Sequence, residues 1–281
     1  MSLDTDLVGS PGPTRRRRWT SADALLYAVG VGAGQAGDPA DLPYVTENSA
    51  GVEQKVLPTY GVLVGQGGLG RPMGSFDPAM LVHAEQSFEL HAPLPVEGDV
   101  EVTSTVTSMV DKGSGALITV ESSSRTADGG VPMVTTRSSM FVRGETVAGR
   151  GIAPPTAEAL PTTSPDAVVT YPTRPEQALL YRLSGDRNPL HSDPSFAARA
   201  GFDRPILHGL CTYGITGRAL IRTACESDGD RLTSMSGRFT RPVRPGQCLT
   251  VEVWNMPDGI RFRTSLDDGT VVLDRGSAVV A

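Results

Sequence analysis

The chain has 281 residues, 39% hydrophobic and 20% charged, a composition typical of soluble globular proteins. Its 25 basic and 31 acidic residues give a net charge of -6, which excludes a general attraction for nucleic acid or anionic membranes. An anionic ligand therefore needs a local basic pocket. At roughly 100 to 200 residues per domain, the length predicts two domains.

The three cysteines, Cys211, Cys225 and Cys248, are odd in number and form no CxxC pair. They predict free thiols in a reducing, cytoplasmic compartment. The arginines at 15–18 followed by ALLYAVGVGAGQA superficially imitate an export signal, but Asp23 and the glycines interrupt its apolar core. No apolar run is long enough to span a bilayer, so we predict no membrane partner.

The first half predicts a helix and then a meander of strands. Residues 1–18 are rich in Pro, Gly and Arg and predict a disordered arm. Ser21 is the predicted cap of a helix over residues 19–29, which a glycine cluster from Gly30 ends. Residues 87–143 alternate polar and apolar side chains, as antiparallel strands do, with DKGSG as a turn.

A linker is predicted over residues 144–165, which have four prolines and little periodicity. It divides a first domain, residues 19–143, from a second, residues 166–281. The second domain predicts a helical segment EQALLYRL, a helix over residues 210–224, and strands in LTSMSGRF, QCLTVEVW, GIRFRTSL and GTVVL.

The two halves also share sequence. ALLYAVGVGAG aligns with ALLYRLSGDRN, and FELHAPLPVEGDVEV resembles FTRPVRPGQCLTVEV. A period of about 150 residues predicts a duplicated α+β unit, with one helix against an antiparallel sheet in each half. Gly32 stands opposite Asp186 and Gly34 opposite Asn188, so the first copy has this loop without its polar groups.

Two stretches, GAGQAG from Gly32 and GQGGLG from Gly65, fit the G-x-G-x-x-G pattern of dinucleotide sites. The first follows a predicted helix and the second runs into a proline, so neither has the required strand-turn-helix setting. We predict no nicotinamide cofactor.

Polar residues are concentrated within residues 181–214. Asp186 and His191 flank an Asn188-Pro189 bend, which lets both side chains converge on one small volume. A carboxylate and an imidazole in reach of one water form a general acid/base pair, worth about 10²–10⁴ in rate. The structural alternative is a stabilised turn with the histidine packed beside a helix.

Gly209, preceded by a second histidine, begins the longer helix of the second half. Its backbone N–H lies at the positive end of that helix, where it can stabilise an oxyanion, unless the glycine only permits a turn. Cys211 has no evident activating partner and predicts a buried thiol.

YRLSGDRNPLH followed by HGL resembles the signature of the MaoC-like, or type 2, enoyl-CoA hydratases, which convert trans-2-enoyl-CoA to (3R)-3-hydroxyacyl-CoA. The resemblance also covers HAEQSFELHAPLP, DKGSG and RFTRPVRPGQ. It implies an α+β double hot-dog fold, in which a long helix packs on an antiparallel sheet in each half. It further implies an acyl-CoA substrate from fatty-acid or steroid side-chain β-oxidation, with no cofactor and no metal.

By this resemblance, Asp186 and His191 activate one water, Asn188 holds their loop, and the Gly209 amide binds the thioester carbonyl. The resemblance and the loop itself assign further substrate contacts to His83, Ala84, Lys112, Arg187, Asn188, Pro189, Leu190 and Phe239. Ala84 replaces the glycine of the family motif. Lys112 is alternatively a solvated turn residue, and Phe239 a core residue.

The first domain is expected to bind the acyl chain and CoA, with its glycine loop leaving space for a long or bulky acyl group. Two other classes stay open: a hot-dog thioesterase, and a non-catalytic acyl-CoA binding module. We predict hydration because the Asp/His pair is complete. A homodimer stays open, since two hot dogs in one chain already supply their pairing.

Overall fold

The structure, a computed structural model, describes residues 2–35, 37–151 and 159–281. Within these residues the strands are β1 (Ser2–Leu3), β2 (Arg15–Trp19), β3 (Gly74–Ser75), β4 (Leu81–Leu90), β5 (Gly98–Asp111), β6 (Gly115–Thr126), β7 (Pro132–Arg143), β8 (Arg150–Gly151), β9 (Ala167–Pro172), β10 (Leu232–Phe239), β11 (Cys248–Met256), β12 (Gly259–Leu266) and β13 (Val271–Val280). The α-helices are α1 (Ser21–Gly30), α2 (Leu42–Val45), α3 (Gly61–Val64), α4 (Gln177–Tyr181), α5 (Pro194–Arg199) and α6 (Gly209–Ala224).

One long antiparallel sheet runs through both halves in the order β2-β5-β6-β7-β4-β10-β13-β12-β11-β9, with β8 paired to β5. Its first five strands come from the first half and its last five from the second. The halves join where β4 pairs with β10, with Phe88 opposite Met235. The predicted meander and the duplicated α+β unit are both confirmed, and β9 is an edge strand that was not predicted.

The core lies between this sheet and α6. Every residue from Leu210 to Ile221 is buried, so the helix is covered on all sides. Gly214 makes this possible, because a Cβ there would lie 2.8 Å from the Tyr27 hydroxyl. The second half therefore packs directly against α1 of the first half.

A long helix in each half was expected, but among the described residues the first half has only a short counterpart of α6. Its Thr-Tyr-Gly at residues 59–61 repeats Thr-Tyr-Gly at 212–214, but the helical turns begin at Pro58 and end at Val64. Proline favours a helix start, since it lacks the N–H that an earlier turn would need. The first half therefore lacks the helical N-terminus on which Gly209 lies in the second half.

The prediction of a disordered arm over residues 1–18 is wrong for the described part of that range. β2 pairs antiparallel with β5 and is the edge strand at that end of the sheet. Leu3, Leu7 and Val8 join a second apolar cluster with Met109 and Ile118. These apolar residues are scattered without periodicity, so the sequence gives no sign that they are ordered. They become buried or half-buried because they pack against strands β5 and β6.

Local details of two other predictions differ. α1 begins at Ser21, and its cap is Thr20, which forms a capping box with Asp23. The predicted linker contains β8, and residues 152–158 of it lie outside the described residues. No described helix combines the length and the apolar character needed to cross a bilayer.

Candidate active site

A cavity of about 410 Å³ lies at the junction of the two halves. β4 and β7 supply one wall, which includes Leu81, Val82 and Met140. The loop before α5, the first turn of α6 and residues 239–243 supply the other. Asp186, Asn188, Leu190, His191 and Gly209 all face this cavity, so the structure brings the predicted catalytic residues together.

The loop from Gly185 to His191 is stabilised by two nested side-chain caps. Asp186 Oδ1 accepts from the Asn188 N–H at 3.1 Å, and Asn188 Oδ1 accepts from the Leu190 N–H at 3.0 Å. Asp186 and Asn188 therefore do stabilise the turn, as the structural alternative predicts. The turn uses only one carboxylate oxygen of Asp186, and Oδ2 remains for a ligand in the cavity.

His191 is held in one tautomer. Its Nδ1 lies 2.8 Å from the carbonyl oxygen of Ile206, and a carbonyl only accepts, so Nδ1 carries the proton. Nε2 is then the free basic nitrogen. Burial lowers the pKa of His191, which keeps the ring neutral at physiological pH. A neutral imidazole beside a carboxylate can accept a proton from a shared water.

Gly209 is the first residue of α6, and its N–H belongs to the helical turn that has no intrahelical acceptor. A Cβ at this position would lie 3.2 Å from the Phe239 ring, so glycine lets that ring close the cavity wall. Cys211 is fully buried, and burial raises the pKa of its thiol. The prediction that Cys211 is a buried thiol is confirmed, and all three cysteines are free thiols in the structure.

The sequence interpretation missed His208, which is only 1% exposed. Its Nε2 lies 3.3 Å from the backbone oxygen of Asp186, and its ring stacks on His191 with centroids 3.7 Å apart. The available signal was its place directly before Gly209. His208 therefore belongs to the site although it does not line the cavity.

The predicted substrate contacts divide into two groups. His83 and Phe239 lie on the cavity wall with ring centroids 5.0 Å apart. Ala84 is the extra residue of a β-bulge next to His83 and does not have the positive φ that would favour glycine. Ala84 is outside the cavity wall, as are the exposed Lys112, Arg187 and Pro189.

Two basic residues at the cavity rim were also missed. Arg143 ends β7 and Arg241 follows β10, so each half contributes one exposed guanidinium. In the part of the chain that the structure describes, neither has a carboxylate partner. The acidic chain thus does carry a local basic site, as an anionic ligand requires.

The glycine loop of the first copy does not open space for an acyl chain. A Cβ on Gly32 would lie 3.3 Å from Arg218 Nη1. Asp41 pairs with Arg218 at 2.6 Å and accepts from the Gly34 N–H at 2.8 Å. The expectation is wrong because this buried ion pair fills the volume, and the first half reaches the cavity through β4 and β7 instead.

The groups best spaced for a metal in the described chain are the carboxylate of Asp186 and the rings of His191 and His208, whose donor atoms lie within 4.8 Å of one another. Each ring already uses one N–H to donate a hydrogen bond to a backbone carbonyl. The other nitrogen of His208 is buried outside the cavity. Of these three residues, Asp186 and His191 line the cavity.

An antiparallel sheet with strands from both halves, packed on one long helix whose N-terminus lies beside Asp186 and His191, defines the double hot-dog fold. Residues 156–275 match the MaoC like domain, and residues 18–144 match the MFE-2 hydratase 2 N-terminal domain. The chain belongs to the MaoC-like dehydratase family, in its two-domain hydratase 2 form.

Relatives and solved structures agree with this family. The chain is 43% identical to 3-hydroxyacyl-thioester dehydratase Y of Mycobacterium tuberculosis over 99% of this chain and 98% of that protein. It is 39% identical to enoyl-CoA hydratase ChsH3 of the same organism, over 100% of this chain and 97% of that one. A MaoC-like dehydratase from Phytophthora capsici superposes with a TM-score of 0.88 at 33% identity, covering 99% and 98% of the two chains.

The fold itself has a described precedent. A Mycobacterium tuberculosis protein whose structure has a double hotdog fold superposes with a TM-score of 0.60 at 16% identity, over 97% of each chain. The predicted double hot-dog fold and the predicted family are therefore confirmed.

The three histidines at the cavity, two buried and one half-buried, predict a stability that falls in mild acid. Burial lowers the pKa of His83 to about 4 and that of His208 to about 3, and it also lowers the pKa of His191. Unfolded histidine titrates near about 6.5, so the unfolded state binds more protons below that pH. We expect the histidines to make their whole contribution to the free energy of unfolding above about pH 6.5. This contribution should be lost as the pH decreases towards 4.

Urea denaturation between pH 8 and pH 4.5 measures this effect. The hydrogen bond from Arg16 lowers the pKa of Asp99 to about 2. The stability that this carboxylate contributes is therefore lost only at a lower pH than the histidine contribution. An unfolding free energy that stays constant down to pH 5 would contradict the prediction.

Proposed function

We propose that this protein is an (R)-specific 2-enoyl-CoA hydratase, which adds water to trans-2-enoyl-CoA to give (3R)-3-hydroxyacyl-CoA and also catalyses the reverse dehydration. The observation that carries the proposal is that Asp186, His191 and the first turn of α6 face one cavity. The relatives named as an enoyl-CoA hydratase and a 3-hydroxyacyl-thioester dehydratase support it.

The geometry supports a simple sequence of steps. A water bound between the Asp186 carboxylate and His191 Nε2 loses a proton to this pair as its oxygen bonds to C3. The C2=C3 π electrons move towards the thioester, and the Gly209 N–H stabilises the enolate oxygen. The pair then returns one proton to C2, so that one water is added in total.

We further propose a medium, long or bulky acyl chain for the cavity of about 410 Å³, whose inner wall is largely apolar. Fatty-acid or steroid side-chain β-oxidation would supply such substrates. The proposed reaction needs no cofactor, because the substrate carries its own activated carbonyl. A cytoplasmic location fits the three free thiols, and a homodimer stays a prediction.

Assays over a series of trans-2-enoyl-CoAs test this function. We expect loss of the conjugated enoyl-thioester absorbance with no release of free thiol, and a (3R) product on chiral analysis. Thiol release at a matching rate would indicate a thioesterase, and binding without turnover would indicate a binding module. A strict preference for four-carbon substrates would contradict the proposed acyl class.

The rim arginines predict recognition of the CoA phosphates. We expect Arg143→Ala and Arg241→Ala each to raise KM for enoyl-CoA about 10-fold, since a charge-assisted hydrogen bond contributes about 1.5 kcal/mol. The same variants should leave turnover of enoyl-pantetheine thioesters unchanged, because pantetheine lacks phosphate groups. Arg125→Ala, an exposed arginine outside the cavity wall, is the control. Equal losses on both thioesters would contradict a phosphate contact.

A further inference from the structure

One buried side chain touches each part of the proposed mechanism. His208 lies between the catalytic loop and α6, directly before Gly209. Its Nε2 contacts the Asp186 carbonyl at 3.3 Å, and its ring lies at 28° to the ring of His191 with a centroid distance of 3.7 Å. A shift of this ring would therefore move the carboxylate, the imidazole and the first helical turn together.

The hydrogen bonds determine the state of both rings. The Asp186 carbonyl can only accept, so His208 Nε2 carries a proton and Nδ1 has the lone pair. That Nδ1 is buried without a hydrogen-bond partner among the described residues. A second proton there would place an unsolvated charge against the His191 ring, which is costly at this separation. His208 is thus a neutral ring that excludes water from one face of His191.

Two buried tyrosines follow His208 in a chain of ring contacts. The rings of Tyr181 and His208 have centroids 4.9 Å apart, and those of Tyr27 and Tyr181 have centroids 6.1 Å apart. Both tyrosines are fully buried, so His208 has no room to retreat from His191. Tyr27 and Tyr181 occupy the same position in the two copies of ALLY. Tyr27 of the first half therefore packs against the ring that contacts His208.

We propose that His208 is a positioning residue for the Asp186/His191 pair, acting through its hydrogen bond to the Asp186 backbone and its stack on His191. The proposal rests on the hydratase function above. Asp186, His191 and Arg182 are the titratable or charged groups that act on His208, and the Tyr181 ring packs against it.

Two variants separate the two contacts. His208→Phe keeps a stacked ring and removes the donor, whereas His208→Gln keeps an amide donor and removes the ring. We expect both to lower kcat by roughly 10- to 100-fold, as displacement of reacting groups by about 1 Å does. KM should change by less than about 3-fold, because His208 does not line the cavity. In His208→Gln, the acid limb of the kcat profile should also move to higher pH, since water then reaches the second face of His191.

His91→Gln is the matched control, because His91 is exposed and lies outside the cavity wall. Wild-type turnover of enoyl-CoA, measured first, tests the function separately. An NMR titration of His191 in ligand-free wild type and His208→Gln tests the stack without turnover, and a raised His191 pKa in the variant supports it. Unchanged kcat and His191 titration in folded variants would overturn the proposal, and so would a rise in KM alone.

Discussion

Asp186→Asn and His191→Ala are each expected to lower kcat for enoyl-CoA hydration by about 10²- to 10⁴-fold, the usual worth of a general acid/base group. Asn at position 186 keeps an oxygen that can accept from the Asn188 N–H, so the turn remains while the charge and the basicity are lost. Ala at position 191 removes Nε2, the nitrogen that the bond to Ile206 leaves free.

Steady-state kinetics and thermal melts of the same samples measure this effect. We expect both variants to remain folded, because the Asx turn survives in the first, and the second loses one hydrogen bond, to the Ile206 carbonyl, and one ring stack. His91→Ala, at an exposed position, should retain wild-type rates. Near-normal hydration by either site variant would refute the assignment of the pair, whatever the melts show.

Asp41→Asn is expected to lower the free energy of unfolding by about 3–5 kcal/mol, as removal of one partner from a buried ion pair does. Arg218 would keep its charge with only 7% of its side chain exposed. Its remaining contacts, a bond to the Val31 carbonyl at 3.2 Å and the Tyr171 ring at 4.8 Å, do not neutralise that charge. The substitution preserves shape, so the loss reports the missing charge.

Urea denaturation of Asp41→Asn measures the cost, with Glu121→Gln as the control. Glu121 pairs with Arg137 on the surface, and such exposed pairs contribute at most about 1 kcal/mol. Turnover per folded molecule should be unchanged in both variants, because Asp41 lies outside the catalytic cavity. Equal small losses in the two variants would show that the first-copy loop is not held by this ion pair.

The catalytic loop was predictable because its chemistry is local. The contacts of Asp186 and Asn188 that shape the turn span two residues each, and side-chain type determines them. The strands were predictable for the same reason, since alternation along β5 and β6 shows which face is buried. β9 was missed because its apolar alternation is short and one outer residue, Val168, is 57% exposed.

The arm and the first-copy loop show where local reasoning fails. A composition rich in Pro, Gly and Arg predicts an unstructured arm. The edge of β5 nevertheless orders Arg15–Trp19 by pairing with it as a strand. The glycines that align with Asp186 and Asn188 suggest empty space in the first copy. In the structure, Arg218 of α6 occupies that space. In both cases the deciding partner lies in another element of the fold.

The sequence by itself determined the duplicated sheet-and-helix unit and the loop that presents Asp186 and His191, because periodicity and turn chemistry act within a few residues. Only the tertiary structure decided that His208 stacks on His191 and that Arg218 pairs with Asp41. His208 bonds the backbone of Asp186, which lies 22 residues earlier in the chain. The ion pair joins positions 177 residues apart. Such contacts depend on how α6 packs between the two halves, which no local pattern encodes.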